Sequence, residues 1–511
     1  SELRFSISDY DSDLMSYSVT TYPDVGGGNG NMKADGTYTV PVSGLKSSTE
    51  YTWYVTVSDG MDTVEEEFTF TTEAVAPVVS DVIPVDGNRY VPVSQGFLRF
   101  HLRDPQNDLR SYTVETSPFI GSGSGSGVHE GDISVPISGL EAMTKYRRYV
   151  NVTDGVNPTS EVFWFQTEPL MVFDPFTEGW EYRKMITVDH SMVAGDLENF
   201  PVVLELTDSD LRDKAQDDGD DILFMDGAGV ATRLYHELED FDGSTGQLIA
   251  WVNISSLNST VDSSLYMYYG HMDSCEQQYP EKTWDAQYKG VWHMHTASGS
   301  ITDSTVNHHN GIVSSISCQA AGRIGYGVED DGTGYVDFGD QIEYETQDIT
   351  YEIWSIHDYE AQELDGGLAK GRVFGDYTTY SSQIAWHLGE SSYSVILTDG
   401  TSCSGVDEST DLTNWNYFVG THDSVTGTTS LFINGDFKDS QTKPGTTIDY
   451  TQTQNNFKLG GRDGGIYSFD GRVDEVRISN IGRSSEWIRT CYQNQNFPSD
   501  FISVGFEEPH P

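Results

Sequence analysis

Cysteine is scarce. The 511 residues hold only Cys275, Cys318, Cys403 and Cys491, all in the second half, and none forms a Cys-x-x-Cys pair. That spacing gives no support to zinc-ribbon or thioredoxin chemistry. Basic residues are scarce too: 28 Lys and Arg stand against 80 Asp and Glu, a net charge of −52. Such a balance opposes the phosphate backbone of nucleic acid and anionic membranes as partners. No apolar run approaches the ~18 residues that span a bilayer, and no charged-then-apolar leader stands at the front. His-Glu-x-x-His, a nucleophile elbow and a phosphate loop are missing as well, so no enzymatic activity is expected.

What the chain does have is strand composition and an internal repeat. Gly 51, Tyr 29 and Phe 23, with many Thr and Val, favour half-buried strands joined by tight turns, and predict an all-β protein. At about 100 to 200 residues per domain the length suggests three to five units, and four fit best. Leu3-Arg4-Phe5 reappears as Leu98-Arg99-Phe100, Gly44-Leu45 as Gly139-Leu140, and Asp59-Gly60 as Asp154-Gly155, each ninety-five positions on (98 − 3). Residues 1–74 and 75–169 are therefore read as two copies of one β-module. The second opens with a segment, roughly Val78 to Val93, that has no counterpart in the first. Either upstream sequence or a strand from another chain is expected to complete the first copy, and the Pro-bearing end at His510-Pro511 is expected to lead into a further module.

In each copy Leu3, Phe5 and Ile7, or their equivalents, alternate ahead of an acidic turn. Later come Leu45, Thr49 and Tyr51, then Trp53, Val55 and Val57 at strand period. This resembles a fibronectin type III or immunoglobulin-like sandwich, and the Leu45…Tyr51 spacing resembles its tyrosine corner. Such modules imply spacers and adhesive surfaces rather than activity.

From Trp180 a different unit follows, 175–284, through Phe200-Pro201-Val202-Val203-Leu204, Asp217-Asp218-Gly219-Asp220-Asp221, Trp251-Val252-Asn253 and Leu265-Tyr266-Met267-Tyr268-Tyr269. It resembles the domain of unknown function numbered 2341, a β-rich module of prokaryotic surface proteins, which implies a laminin-G-like neighbour. Residues 285–511 supply one. Gly290-Val291-Trp292-His293-Met294, Trp415-Asn416-Tyr417-Phe418-Val419, the Asn434-Gly435 hairpin and Phe469-Asp470-Gly471-Arg472-Val473-Asp474-Glu475-Val476-Arg477-Ile478 resemble a concanavalin A-like, laminin-G-like jelly roll. Some jelly rolls of that class carry a glycosidase Glu-x-Asp-x-x-Glu strand, and none occurs here.

The resemblances imply a modular, exported surface protein, archaeal or bacterial in origin. Its expected role is non-catalytic: an adhesive or structural part, a surface-layer or filament subunit assembling with other subunits or copies of itself, with strand donation as one route. The alternative is a calcium-dependent, lectin-like module of a larger polysaccharide-active protein, with glycans as partners. Calcium is the expected cofactor. Asp9, Asp11 and Asp13 place carboxylates at alternate positions in one turn, as a hard cation requires. In the jelly roll, relatives imply a calcium held by Asp303, Asp474 and Glu475. The acids Asp217 to Asp221 are a third candidate. His293 and His295 share a strand face, but no residue at useful spacing completes a zinc set.

A sugar platform is expected from Tyr377, Tyr380, Trp386, Tyr393 and Tyr467 in the loop-rich half of the last unit. Asn151, Asn253 and Asn258 stand in N-glycosylation sequons. An even cysteine count in an exported chain favours disulfides over buried free thiols. Cys275 with Cys491 is the expected pair, because the two flank the final domain, and Cys318 with Cys403 follows by elimination.

Overall fold

The computed structural model describes the chain apart from residues 47, 74, 106–107, 298, 342–343, 358–367, 372–381, 390–391, 399–402, 410, 412, 446, 449, 451–455 and 461–468. For the strands between 368 and 409 it gives the backbone alone. The chain is all-β and divides into two compact units, Ser1–Leu170 and Met171–Pro511.

The first unit holds the two copies, each a pair of sheets closed on its own core. In the first copy Glu2–Ile7 pairs with Gly36–Pro41, facing a four-stranded sheet whose central strands are Met15–Tyr22 and Glu50–Ser58. The alternation is obeyed residue by residue: Leu3, Phe5 and Ile7 are buried and their neighbours exposed. Local devices recur at the same offset. The Lys46 amide donates to the Tyr51 hydroxyl at 2.8 Å and the Glu141 amide to Tyr146 at 2.9 Å, a tyrosine corner in each copy. Thr21 and Thr116 each bond the carbonyl five residues on.

The copies differ where the second has extra sequence. Val78–Ile83 adds to Phe97–Arg103, and Asn88–Val91 lies parallel to Pro158–Thr167. This segment is held by Arg148, which donates to the carbonyls of Ile83 and Pro84, and by Asn157 and Thr159, which donate to those of Val75 and Pro77. The corresponding place in the first copy is a groove of about 400 Å³, lined by Phe5, Ile7, Met15, Val57, Val64 and Phe68.

In the second unit the boundary expected at 284/285 cuts through one core. One six-stranded sheet runs from Val172–Phe173 to Tyr182–Val188 and ends on Ile502–Pro509, so the last strand of the chain completes the module that the sequence reading placed before residue 285. A three-stranded sheet of Leu197–Thr207, Gln247–Leu257 and His236–Asp242 packs beneath it. Its middle strand is buried on both faces from Leu248 to Ile254, which is why Leu-Ile-Ala-Trp-Val reads as an unbroken apolar run. One continuous core joins Trp251 and Trp284 to Trp354, Tyr417 and Phe432 of the jelly roll and to Trp487 and Ile488 of the helix Ser485–Asn496. The helix is stitched on by Asn494, whose side chain exchanges hydrogen bonds with the Val203 backbone at 2.8 and 3.0 Å. Among the described residues the jelly roll proper is two eight-stranded sheets around a second core centred on Trp292, Phe338 and Phe457.

Candidate functional site

Where the three-stranded sheet meets the jelly roll, three carboxylates converge on one imidazole. The strand Tyr288–Trp292 ends at His293, opposite the long strand Asp470–Ser479. Two β-bulges supply the acids. Pairing of His236–Asp242 with its neighbour slips between Leu238 and Asp240, which makes Glu239 the extra residue. Pairing of Asp470–Ser479 slips between Asp474 and Arg477, where Glu475 has φ +53°. A bulge re-aims a side chain, and the left-handed conformation at Glu475 costs about 1–2 kcal/mol.

The ring of His293 has Nδ1 2.7 Å from Glu475 Oε1 and 3.5 Å from Glu239 Oε2, and Nε2 3.3 Å from Glu237 Oε2. Each acid is held from behind. Glu237 accepts from Trp284 Nε1 at 2.8 Å and from Ser304 Oγ at 2.5 Å; Trp251 Nε1 donates to Glu239 at 2.8 Å; Arg477 donates to Glu475. The guanidinium of Arg477 lies 4.3 Å from the Trp251 ring centre and 4.9 Å from that of Trp284. His293 stacks on Trp251 at 5.6 Å. All these side chains are buried.

Burial pushes the pKa values apart. It drives the Glu239 and Asp474 carboxyls well above the ordinary range, and the charge of Glu475 adds to it. Burial would lower the imidazole of His293, but Glu475, Glu237 and Glu239 outweigh it and hold it well above its usual value. Glu237 and Glu475 stay below the usual carboxylate range against burial, chiefly through His293. The arrangement can store protons or hold a cation. It cannot admit a sugar ring, because the acids lie under two indoles.

The expected site residues fall into other roles. Asp303 is a buried turn staple, accepting from the Val291, Thr305 and His309 amides and the Thr305 hydroxyl at 2.9–3.1 Å. Asp474 does the same for Arg323 and Ile324, both at 2.8 Å. Only Glu475 of that expected trio reaches the convergent cluster. Among the described residues, the His and acidic groups with donor atoms within 4.8 Å of one another are Glu239–His293–Glu475 and the more exposed Asp189–His190–Asp262. Asp9 accepts from the amides of Asp11 and Asp13, both at 3.1 Å, and caps its own turn. Asp221 is buried and accepts from the Gly270 and His271 amides, which makes it part of the core.

His295 leaves the expected pair with His293: its ring packs on Tyr326 at 5.1 Å. Two further expectations are corrected. Asn253 is buried, with its amide donating to the Thr283 carbonyl at 2.9 Å, so its sequon is closed in the fold, whereas Asn151 is exposed. Cys275 and Cys491 are not joined to each other. Cys491 faces inward from its helix, and burial raises its thiol pKa, while Cys275 sits half-buried in the turn bridged by Gln277. Cys318 is half-buried. The side chain of Cys403 lies outside the described residues, as do Tyr377, Tyr380, Trp386, Tyr393 and Tyr467 of the sugar platform.

A second feature is an open cleft of about 650 Å³ beside the cluster. It is lined by Arg233, Tyr235, Asn253, Trp284, Lys289 and Asn307 among others. Sequence reasoning missed it, and it missed Glu237 and Glu239. The only advance signal was the Glu237-Leu-Glu239 alternation, which names a face and not what covers it.

Comparison with known proteins finds two segments that match family models. Residues 330–489 match the Concanavalin A-like lectin/glucanases superfamily, in its laminin-G form. Residues 218–293 match the domain of unknown function 2341. No curated protein matches. Similar solved structures include the CBM40 of Ruminococcus gnavus IT-sialidase bound to α2,3-sialyllactose, at 16% identity and TM-score 0.29, covering 32% of this chain and 95% of that one. Domain 4 of the extracellular arabinanase AbnA from Geobacillus stearothermophilus, with arabinotriose, gives 17%, 0.32, 41% and 100%. Trypanosoma rangeli sialidase with sialic acid gives 10%, 0.33, 97% and 98%. TM-scores this low carry no weight for site or ligand.

Proposed function

We propose that this is a non-catalytic, exported surface protein whose Met171–Pro511 unit recognises carbohydrate and whose repeated sandwiches serve adhesion or assembly. The observation that carries the reading is the jelly roll's match to a lectin and glucanase superfamily, combined with the sealing of its convergent carboxylates beneath Trp251 and Trp284. The cleft beside them supports it: its volume falls in the range of small-molecule sites, and its Asn, Lys, Tyr and Trp side chains suit sugar hydroxyls and ring faces. A glycan array with the whole chain, run with calcium and with a chelator, tests the reading. Binding to one sugar class that falls at least tenfold in Lys289→Ala with Asn307→Ala supports it. Silence across the array, or hydrolysis of any glycan, overturns it.

Strand-mediated assembly is the second reading, carried by the groove in the first copy. Residues 75–84 occupy the equivalent place in the second copy, so a strand from a neighbouring subunit would meet apolar walls already shaped for one. A labelled peptide of residues 75–91 added to the whole chain is the probe. Saturable binding that is abolished by Ile7→Glu supports the reading, and no binding overturns it.

A further inference from the structure

We propose that Glu239, His293 and Glu475 form a buried site for one divalent first-row transition ion, tying the jelly roll to the three-stranded sheet. The donor set is mixed imidazole and carboxylate, which suits zinc or its neighbours and disfavours calcium and magnesium, whose ligands are oxygens.

Three observations point to an ion rather than a bare charge cluster. The first is geometry. Two ligands each about 2.1 Å from a tetrahedral ion are about 3.4 Å apart. His293 Nδ1 and Glu239 Oε2 stand 3.5 Å apart, while Glu475 Oε1, at 2.7 Å, has to draw back by less than about 1 Å.

The second is the outer shell. A metal-bound imidazole typically donates its other N–H to a carboxylate, which fixes its tautomer. Here Nε2 faces Glu237, itself fixed by Trp284 and Ser304, while Trp251 and Arg477 orient the two ligating acids. Nothing in a simple salt bridge requires the second carboxylate.

The third is an unmet bond. Glu239 Oε1 has no hydrogen-bond partner, although its side chain is only 1% exposed. Arg477 is bonded to Glu475, so the Glu239 carboxylate has no permanent cation of its own among the bonds that hold the cluster. A divalent ion supplies one. The glycine at 325 leaves room on that side, since a Cβ there would come 3.2 Å from Glu239 Oε1.

The test uses the whole chain, unfolded and refolded with cobalt(II) or zinc, because a core site does not load readily once closed. About one ion per chain by mass spectrometry, visible cobalt d–d bands, and loss of both in Glu239→Gln support the site. Asp262→Asn, in the other cluster, leaves them unchanged. His293→Ala repeats the result if it folds, and Glu239→Gln, which keeps a group for Trp251 to bond, covers the case where it does not. Glu237→Gln weakens affinity by about 10–100-fold without changing stoichiometry at saturation. Folded chain with less than a tenth of an ion and no cobalt bands overturns the proposal. So does an ion that persists in Glu239→Gln and disappears in Asp262→Asn.

Discussion

The acids of the first sandwich and those of the Met171–Pro511 unit are the same chemical groups in opposite settings. Asp9, Asp11 and Asp13 line a solvated turn, and the Asp9 carboxylate accepts from amides two and four residues on. Glu237, Glu239 and Glu475 are buried and meet a histidine 54 (293 − 239) to 182 residues away in sequence. In water a charge costs little to keep and contributes little when paired. In the core the same charge must be matched or neutralised, so its partners become indispensable. The acidic composition that marks the whole chain therefore does different work in its two halves.

The sharpest way to test the contrast is to remove the buried cation. Arg477→Met strands Glu475 beneath Trp251 and Trp284, and is expected to destabilise the Met171–Pro511 unit by about 3–5 kcal/mol, read as a lowered urea midpoint in tryptophan fluorescence. Asp11→Asn in the solvated turn is expected to leave its unit's midpoint unmoved.

Acid separates the units next. Burial, with nearby Arg233, pushes His236 down to about 3, and burial pushes His357 down to about 4. Both are neutral in the fold and take up a proton only on unfolding. Their contribution is thus complete above the unfolded value near 6.5 and is lost as pH falls toward those folded values. The expected slope is at most about 1.4 kcal/mol per pH unit for each histidine. His236→Gln should flatten it. His101 in the first unit runs the other way: its bond to Asp132 raises its pKa, so what it contributes is present at low pH and fades as pH rises. Urea midpoints between pH 7 and 4.5 for each unit check the opposed signs.

The smallest effect tests the equivalence of the copies. Tyr51→Phe and Tyr146→Phe each leave one backbone amide without its acceptor, and each is expected to cost about 1 kcal/mol. Unequal losses would show that the added strands of the second copy reinforce its corner.

Much of the fold was legible because its signals are local. The 95-residue offset, the Leu3-Phe5-Ile7 alternation and the Tyr51 corner rest on neighbours in sequence, and each is found where the residues put it. The site was legible only in fragments. His293 is visible in the sequence as a ligand candidate, but its partners are not, because Glu237 and Glu239 lie on a strand of the preceding module. The jelly-roll resemblance implies Asp303 and Asp474 as calcium ligands near the start and the end of that unit, and in the structure both accept from backbone amides that no pattern in the sequence announces.

By itself the sequence determined that strands form, which residues alternate inward, and that one module is repeated. Those follow from backbone sterics and from apolar side chains leaving water, which act over a few residues. The tertiary structure alone decided that the last strand returns to pair with Tyr182–Val188 and that two bulged strands aim Glu239 and Glu475 at one imidazole. A strand's period fixes the face a side chain occupies. What covers that face depends on which sheet packs there, and only then is a carboxylate solvated, paired or left to seek a cation.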